Sequence, residues 1–174
     1  QFVDIETKNV LQTMKKLPLT KKYIDKSIRN GSRDNARTPM QWDGSKYAGF
    51  SSTEPWLMVN DNVQLINVAK SLKDENSILN YYKKLIKVYK KYGDLVRDGI
   101  YKDLCVNSKT IFAYERRIDN KLLLVISNFS SKEKDVSNIL RKYDEYKSEI
   151  LLTNYKKVNK VLKPYQSVLI YLSK

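Results

Sequence analysis

The sequence predicts an α+β chain in which helices come first and an antiparallel β-sandwich follows. A helical period runs through residues 74–91, and short β-branched and aromatic runs follow one another after Gly93. The chain has 174 residues, of which 41% are hydrophobic, and this is enough to bury a core. These observations exclude an intrinsically disordered chain and fit one or two domains.

Residues 1–30 predict two short helices separated by Pro18. Apolar residues recur three and four positions apart on both sides of this proline, which cannot sit inside a helix. Residues 31–73 keep no lasting period, and glycines and prolines interrupt them. Because Trp42 and Trp56 argue against disorder, we expect a long ordered loop with a functional role.

The clearest predicted helix spans residues 74–91, with apolar residues on one side and lysines on the other. Asp74 or Asn76 is expected to cap its first turn, and Gly93 to close it in the left-handed conformation. The apolar positions recur with the helical period: Ile78, Tyr81, Tyr82, Leu85, Ile86 and Tyr89.

Five short runs after Gly93 are typical of β-strands. They cover residues 99–104, 110–118, 121–128, 148–152 and 167–172. Asp119 and Asn120 join the second run to the third as a tight hairpin. Short strands separated by turns indicate an antiparallel sandwich or Greek key.

The residue types present exclude several chemistries. The chain has no histidine and a single cysteine, Cys105, so Ser-His-Asp and Cys-His catalysis and Cys/His zinc sites lack their groups. Cys105 is expected to be a small apolar residue buried near a strand. A lone cysteine and the absence of a visible export signal favour a cytoplasmic location. No apolar stretch approaches the roughly 18 residues that span a bilayer, so we expect no membrane partner.

The net charge of +14 does not indicate a nucleic-acid partner. Lysines outnumber arginines 26 to 7 and are scattered along the chain instead of forming one basic stripe. Lysine, asparagine, tyrosine and isoleucine share A/T-rich codons, so genome composition accounts for the excess. We therefore expect no nucleic-acid partner.

The most informative segment is RDNARTPMQWD at residues 33–43. Arginine suits a desolvated, bidentate carboxylate partner, so this loop could line a polar pocket for a hydroxylated substrate. The alternative is that local ion pairs, Arg33 with Asp34 and Arg37 with Asp43, merely hold the loop.

The same segment resembles the oligo-1,6-glucosidase branch of the α-amylase superfamily, glycoside hydrolase family 13. The resemblance rests on SRDNARTPMQWD, followed by AGF at 48–50, EPW at 54–56, VN at 59–60 and INV at 66–68. It covers nearly the whole chain and is strongest over residues 32–92. Family members have a (β/α)8 barrel followed by a β-sandwich and are retaining glucosidases.

The resemblance implies that residues 1–92 are the end of the catalytic barrel, with its last loop and helix, and residues 93–174 the C-terminal sandwich. The family's nucleophilic Asp, acid/base Glu and the Asp that follows an Asn-His belong to earlier barrel strands. The chain has no histidine, hence no such Asn-His-Asp, and nothing resembling those strands, so we expect it to hold no catalytic residue and to be inactive alone. We expect no cofactor, and no metal because no cluster of oxygen ligands has a suitable spacing. The missing N-terminal barrel segment is then its partner.

The resemblance also assigns the substrate-binding candidates. Arg33 matches the family's arginine that borders the −1 sugar site, and its carboxylate partner is expected outside this chain. Burial of Trp42 and Trp56 between loop and barrel is favoured over stacking on sugar. Weaker candidates for sugar contact, expected mainly to brace the loop, are Asp34, Asn35 and Arg37.

The function implied is hydrolysis of α-1,6 or related α-glucosidic bonds, with a small α-glucosidic oligosaccharide as substrate. Trehalose-6-phosphate hydrolase and sucrose-isomerising relatives share the loop and remain alternatives. Two further alternatives are a non-catalytic module that binds glycan or braces a partner, and the product of a split gene with no independent role.

Overall fold

A computed structural model describes residues 2–174, which form two compact units. The first unit ends at Glu75 and the second spans Asn76–Lys174. This division by compactness falls before the helix Ile78–Lys91 because that helix packs against the sheet of the second unit. The predicted boundary between residues 92 and 93 separates the end of the barrel from the sandwich domain, which is a different division from that into compact units. It stays a prediction.

The first unit begins with two helices, α1 (Ile5–Met14) and α2 (Lys21–Gly31), which pack against each other. Each starts at a side-chain cap: Asp4 accepts a hydrogen bond from the N–H of Thr7, and Thr20 caps α2 in the same way. The predicted pair of helices on either side of Pro18 is therefore confirmed.

The predicted long loop is ordered, although it is not free of secondary structure. It contains a short helix, α3 (Val68–Lys73), and single 3-10 turns. Backbone hydrogen bonds tie distant parts of it together, since the N–H of Val68 donates to the carbonyl of Gln41 at 2.9 Å. The 3-10 turns are Arg33–Ala36, Lys46–Gly49 and Asp61–Gln64.

A left-handed turn lies in the middle of this loop. Tyr47, Ala48 and Gly49 have φ angles of 56°, 60° and 63°. Left-handed backbone is costly for residues with a Cβ, so this turn stores strain. At Gly49 a Cβ would also lie 2.7 Å from a carboxylate oxygen of Asp43, so this position requires glycine.

In the second unit the predicted helix is confirmed as α4 (Ile78–Lys91), followed by α5 (Gly93–Arg97). Both predicted end signals are wrong. Ser77 caps α4 by accepting a hydrogen bond from the N–H of Asn80, and Asp74 is the residue that follows α3. Gly93 is the first residue of α5 and not a left-handed cap. None of the described helices is long and apolar enough to cross a bilayer.

The rest of the second unit is an antiparallel sheet of five strands and a smaller sheet of two. The five strands lie in the order β1-β2-β3-β7-β5, and β4 pairs with β6. The strands are β1 (Ile100–Asp103), β2 (Ile111–Ile118), β3 (Lys121–Asn128), β4 (Lys134–Asp135), β5 (Lys147–Thr153), β6 (Val161–Leu162) and β7 (Ser167–Ser173). All five predicted strands and the hairpin between β2 and β3 are confirmed.

One face of the large sheet carries the core of the second unit. Leu122, Leu124 and Ile126 alternate along β3 and are fully buried, and Leu162 of the small sheet joins them. The short helix α6 (Ser137–Leu140) adds further apolar cover. On the opposite face, α4 and the sheet enclose an apolar groove of about 590 Å³.

Candidate functional site

The arginine motif starts directly after α2, in the single 3-10 turn Arg33–Ala36. Ser32 links the two elements: its N–H donates to the carbonyl of Ile28 at the end of α2, and its hydroxyl accepts from the N–H of Asp34 at 3.3 Å. The motif is therefore held beside the two helices of the first unit.

Asp4 is the shared partner of both arginines of the motif. Its Oδ1 lies 2.9 Å from Nη2 and 3.2 Å from Nε of Arg33, and 3.3 Å from Nη1 of Arg37. Only 3% of the Asp4 side chain is exposed. The expectation that Arg33 would be unpaired within this chain is wrong, because Asp4 at the start of α1 pairs with it, whereas the expected carboxylate from outside the chain stays a prediction.

The local alternative for the motif is also wrong. Arg33 does not pair with Asp34, and Arg37 does not pair with Asp43. The Asp43 carboxylate instead accepts from the N–H of Ser45 at 2.8 Å and from its hydroxyl, which lowers the pKa of Asp43. Both carboxylates of the motif therefore order the backbone.

The second oxygen of Asp4 is anchored by the first turn of α1. Oδ2 accepts from the N–H and from the hydroxyl of Thr7, both at 2.9 Å. The backbone N–H of Thr7 is the largest cause that lowers the pKa of Asp4 to about 2; burial opposes it, and the Thr7 hydroxyl and Arg33 add to it. Asp4 is thus a fixed anion.

A second carboxylate, Glu6, also contacts Arg33, at 3.0 Å from Nη2, but its side chain is largely exposed. Retaining glycosidases need a nucleophile and an acid about 5–5.5 Å apart. Asp4 and Glu6 do not fit these roles, because both oxygens of Asp4 are occupied and its lowered pKa makes it a poor base. The two carboxylates form an ion-pair cluster around Arg33.

Asp34 and Asn35 brace the motif from its other side. Oδ2 of Asp34 accepts from the N–H of Val3 at 2.7 Å and from the N–H of Asp4 at 3.1 Å. Asn35 donates from Nδ2 to the carbonyl of Arg29 at 2.6 Å. Oδ1 of Asp34 is buried and finds no partner among residues 2–174.

The two guanidinium groups are only half covered. The side chains of Arg33 and Arg37 are 53% and 42% exposed, although the carboxylate that holds them is buried. Nη1 of Arg33 makes no hydrogen bond or ion pair with the residues that the structure describes. Arg33 also borders a cavity of about 240 Å³ between α1 and α2. Chemically, this is a fixed cation with free donors for an oxygen-bearing ligand.

The tryptophans of the loop are exposed among the residues that the structure describes, and their burial between loop and barrel stays a prediction. Half of Trp42 and 65% of Trp56 are accessible, and Phe50 and Met58 nearby are similarly uncovered. Their expected burial needs the barrel, and the described residues include only its end. Among residues 2–174, no group of three His, Cys, Asp or Glu side chains is arranged to hold a metal ion.

Comparison with known proteins identifies the family. The family model for the alpha-amylase catalytic domain matches residues 5–99, which include the arginine motif and α4. The chain belongs to the alpha-amylase family. Its antiparallel C-terminal part lies beyond that match, as expected for the domain that follows the barrel in this family.

Individual members of the alpha-amylase family align with almost all of the chain. It is 37% identical to trehalose-6-phosphate hydrolase of Bacillus subtilis over 99% of its length, and 39% identical to oligo-1,6-glucosidase of Heyndrickxia coagulans over 100%. The crystal structure of Bacillus licheniformis trehalose-6-phosphate hydrolase superimposes on 99% of it with a TM-score of 0.90 and 31% identity. The chain covers 31% to 32% of each relative, so it spans about a third of their length.

Sequence reasoning found the arginines of this family motif but not their anion. The pattern Asp-x-x-Thr at residues 4–7 is a helix-cap signal, and it would have identified Asp4 as the start of α1. It carries no information about Arg33, because that contact joins residues 29 positions apart.

Proposed function

We propose that the chain is part of a retaining α-glucosidase that hydrolyses α-1,6 or related α-glucosidic bonds in small oligosaccharides. The observation that carries this proposal is the arginine site: Arg33 is fixed by the buried Asp4 and keeps free donors. The whole chain that holds this site aligns with about a third of an oligo-1,6-glucosidase. The catalytic carboxyl groups then come from the two thirds of the enzyme that this chain does not cover.

In this proposal Arg33 borders the glucosyl ring at the −1 site. Nη1 of this half-exposed side chain would donate to a sugar hydroxyl while Nε and Nη2 stay on Asp4. A cation held in place before substrate arrives orients the ring without paying that ordering cost during the reaction. Asp34, Asn35 and Arg37 are proposed to hold the loop, and a direct sugar contact by any of them is the weaker alternative.

The rest of the barrel is the proposed protein partner. One side of α4 packs on the sheet, while an apolar stripe along another side, Ile78, Tyr82 and Ile86, is exposed. Exposed apolar area of this kind is typical of a surface that another segment covers. The uncovered Trp42 and Trp56 support the same partner on the first unit.

The second candidate is a trehalose-6-phosphate hydrolase. The 37% identity to the Bacillus subtilis enzyme and the TM-score of 0.90 with its Bacillus licheniformis counterpart favour it. Both candidates use the same arginine motif, so residues outside this chain must distinguish a free glucose unit from a phosphorylated one.

Hydrolysis assays with the complete enzyme test the proposal. We expect glucose release from isomaltose to exceed glucose release from trehalose 6-phosphate, and sucrose to be neither cleaved nor isomerised efficiently. The opposite order would replace the proposal with the second candidate. If none of these substrates turns over, isothermal titration of the chain with isomalto-oligosaccharides would reveal a non-catalytic glycan-binding module.

We infer a cytoplasmic location for this enzyme, which the single unpaired Cys105 supports. Cell fractionation followed by immunoblotting would contradict it if the protein appeared outside the cytoplasm.

A further inference from the structure

We infer that Asp4 is a positioning residue that holds Arg33 and Arg37 in the geometry in which Arg33 meets the substrate. This inference rests on the proposed role of Arg33 at the sugar site. It concerns a residue outside the arginine motif, the N-cap of α1, which lies 29 positions before Arg33 in the chain.

The contacts that fix Asp4 and the motif are reciprocal. The motif fixes the backbone of Asp4, because Asp34 accepts the N–H of that residue at 3.1 Å. Asp4 in turn fixes the motif through its carboxylate, which reaches Arg33 and Arg37 at 2.9 Å and 3.3 Å. Loss of either side of this exchange would release the other.

Burial makes Asp4 the rigid member of the cluster. Its side chain is almost fully covered, whereas both arginines are half exposed and would otherwise be free to change rotamer. The Thr7 N–H and hydroxyl hold its second oxygen, so the carboxylate cannot rotate away from the guanidinium groups. Glu6, by contrast, is exposed and can leave Arg33 without disturbing the backbone.

The charges also favour this role. Buried Asp4 balances one of the two guanidinium charges and exposed Glu6 balances the other, so a positive charge is left over at the exposed side of the cluster only when Glu6 turns away from Arg33. With a pKa of about 2, Asp4 stays ionised at any pH near neutrality, and the position of Arg33 should not vary with pH in that range. A carboxylate or hydroxyl brought by the rest of the enzyme or by the substrate is the group that this charge would attract.

A double-mutant cycle on the complete enzyme tests the inference. The variants are Asp4→Asn, Arg33→Met and both together, with isomaltose as substrate. Asparagine keeps the shape of Asp4 and one acceptor oxygen for the helix cap, while it removes the charge and places an NH2 group opposite the guanidinium groups. Glu145→Gln is the matched control, since it removes a carboxylate from an exposed ion pair with Lys174 in the second unit.

We expect Asp4→Asn to lower kcat/KM by about 10- to 100-fold, since small displacements in a reaction site cost this much. The double variant should lie within about threefold of Arg33→Met, because neighbouring residues that act through one another are not additive. KM should rise in both single variants. A merely structural defect would instead lower kcat through the fraction of folded enzyme and leave KM unchanged.

Three results would overturn the inference. Independent, multiplicative losses in the double variant would mean that Asp4 does not act through Arg33. Full activity of Asp4→Asn beside an impaired Arg33→Met would remove Asp4 alone and leave the proposed function standing. Full activity of Arg33→Met would remove the proposed role of Arg33 itself. If Asp4→Asn does not fold, Asp4→Ser, which also caps helices, takes its place in the same cycle.

Discussion

The buried hydroxyl of Tyr143 offers a quantitative test of how the second unit is held together. It donates a hydrogen bond to Oε2 of Glu115, a carboxylate on the core face of β2 that is only 5% exposed. Arg117 completes the site as a bidentate partner, with Nε and Nη2 at 3.2 Å and 3.3 Å from the two carboxylate oxygens. Tyr143→Phe would remove one of three donors to a buried charge and leave the ring in place.

The expected cost follows from the charge on the acceptor. Hydrogen bonds to charged groups contribute about 1.5–3 kcal/mol, so Tyr143→Phe should lower the free energy of unfolding by that amount at pH 7. Burial alone would raise the pKa of Glu115, but the hydrogen bonds from Tyr143 and Arg117 outweigh it and hold this pKa below its usual value of 4.5. The stabilisation is therefore present above about pH 4.5 and is lost as pH falls through the lowered pKa.

Urea unfolding of the 174-residue chain, followed by circular dichroism of the sheet, measures this loss. Tyr155→Phe is the matched control, because the Tyr155 hydroxyl donates to the carbonyl of Pro164 at an exposed site and should contribute less than about 1 kcal/mol. Equal losses in the two variants, or a Tyr143→Phe loss that does not shrink as the pH falls from 7 through the lowered pKa of Glu115, would refute the account of this buried charge.

Three further predictions concern the first unit and α4. Gly49→Ala should destabilise the chain by about 1–2 kcal/mol because of the positive φ at this position. Gly31→Ala has open space around the added methyl and should be neutral or stabilising. An equal effect of both substitutions in chemical denaturation would mean that the turn is not strained. Asp4→Asn should destabilise the chain at pH 7, and the stability difference from the unmodified chain should disappear as pH falls from about 4 to about 2, through the lowered pKa of Asp4. A difference in thermal midpoint that does not change with pH would contradict this prediction. Ile86→Asp should reduce self-association of the isolated chain in sedimentation velocity and prevent the chain from assembling with the rest of the barrel. Unchanged behaviour in both would show that no other segment covers the stripe of α4 that is exposed here.

Local pattern was sufficient to predict most of the fold. The helical period of α4 and the alternation of buried residues along β3 are visible in consecutive residues, because one face of each element is buried. The ends were predicted less well: Ser77 caps α4, whereas Asp74 follows α3, a helix of only six residues. The two-residue strands β4 and β6 have no period to detect.

The candidate site was predictable only in part. Its cations stand out in the motif, since two arginines in a loop of eleven residues are unusual. Their anion does not, because Asp4 reaches Arg33 only after α1 and α2 have packed against each other. Trp56 is 65% exposed, so the described residues do not provide the burial that its size led us to expect.

Glucose release from isomaltose tests the central claim most directly when it is measured on separated parts of the enzyme. The 174-residue chain, the remaining two thirds of the enzyme, a mixture of the two and the complete enzyme would be assayed side by side. We predict activity for the complete enzyme and for the mixture, and none for either part alone. Turnover by the isolated chain, lost on a single substitution within it, would contradict the account, as would a complete enzyme with no activity towards any α-glucoside.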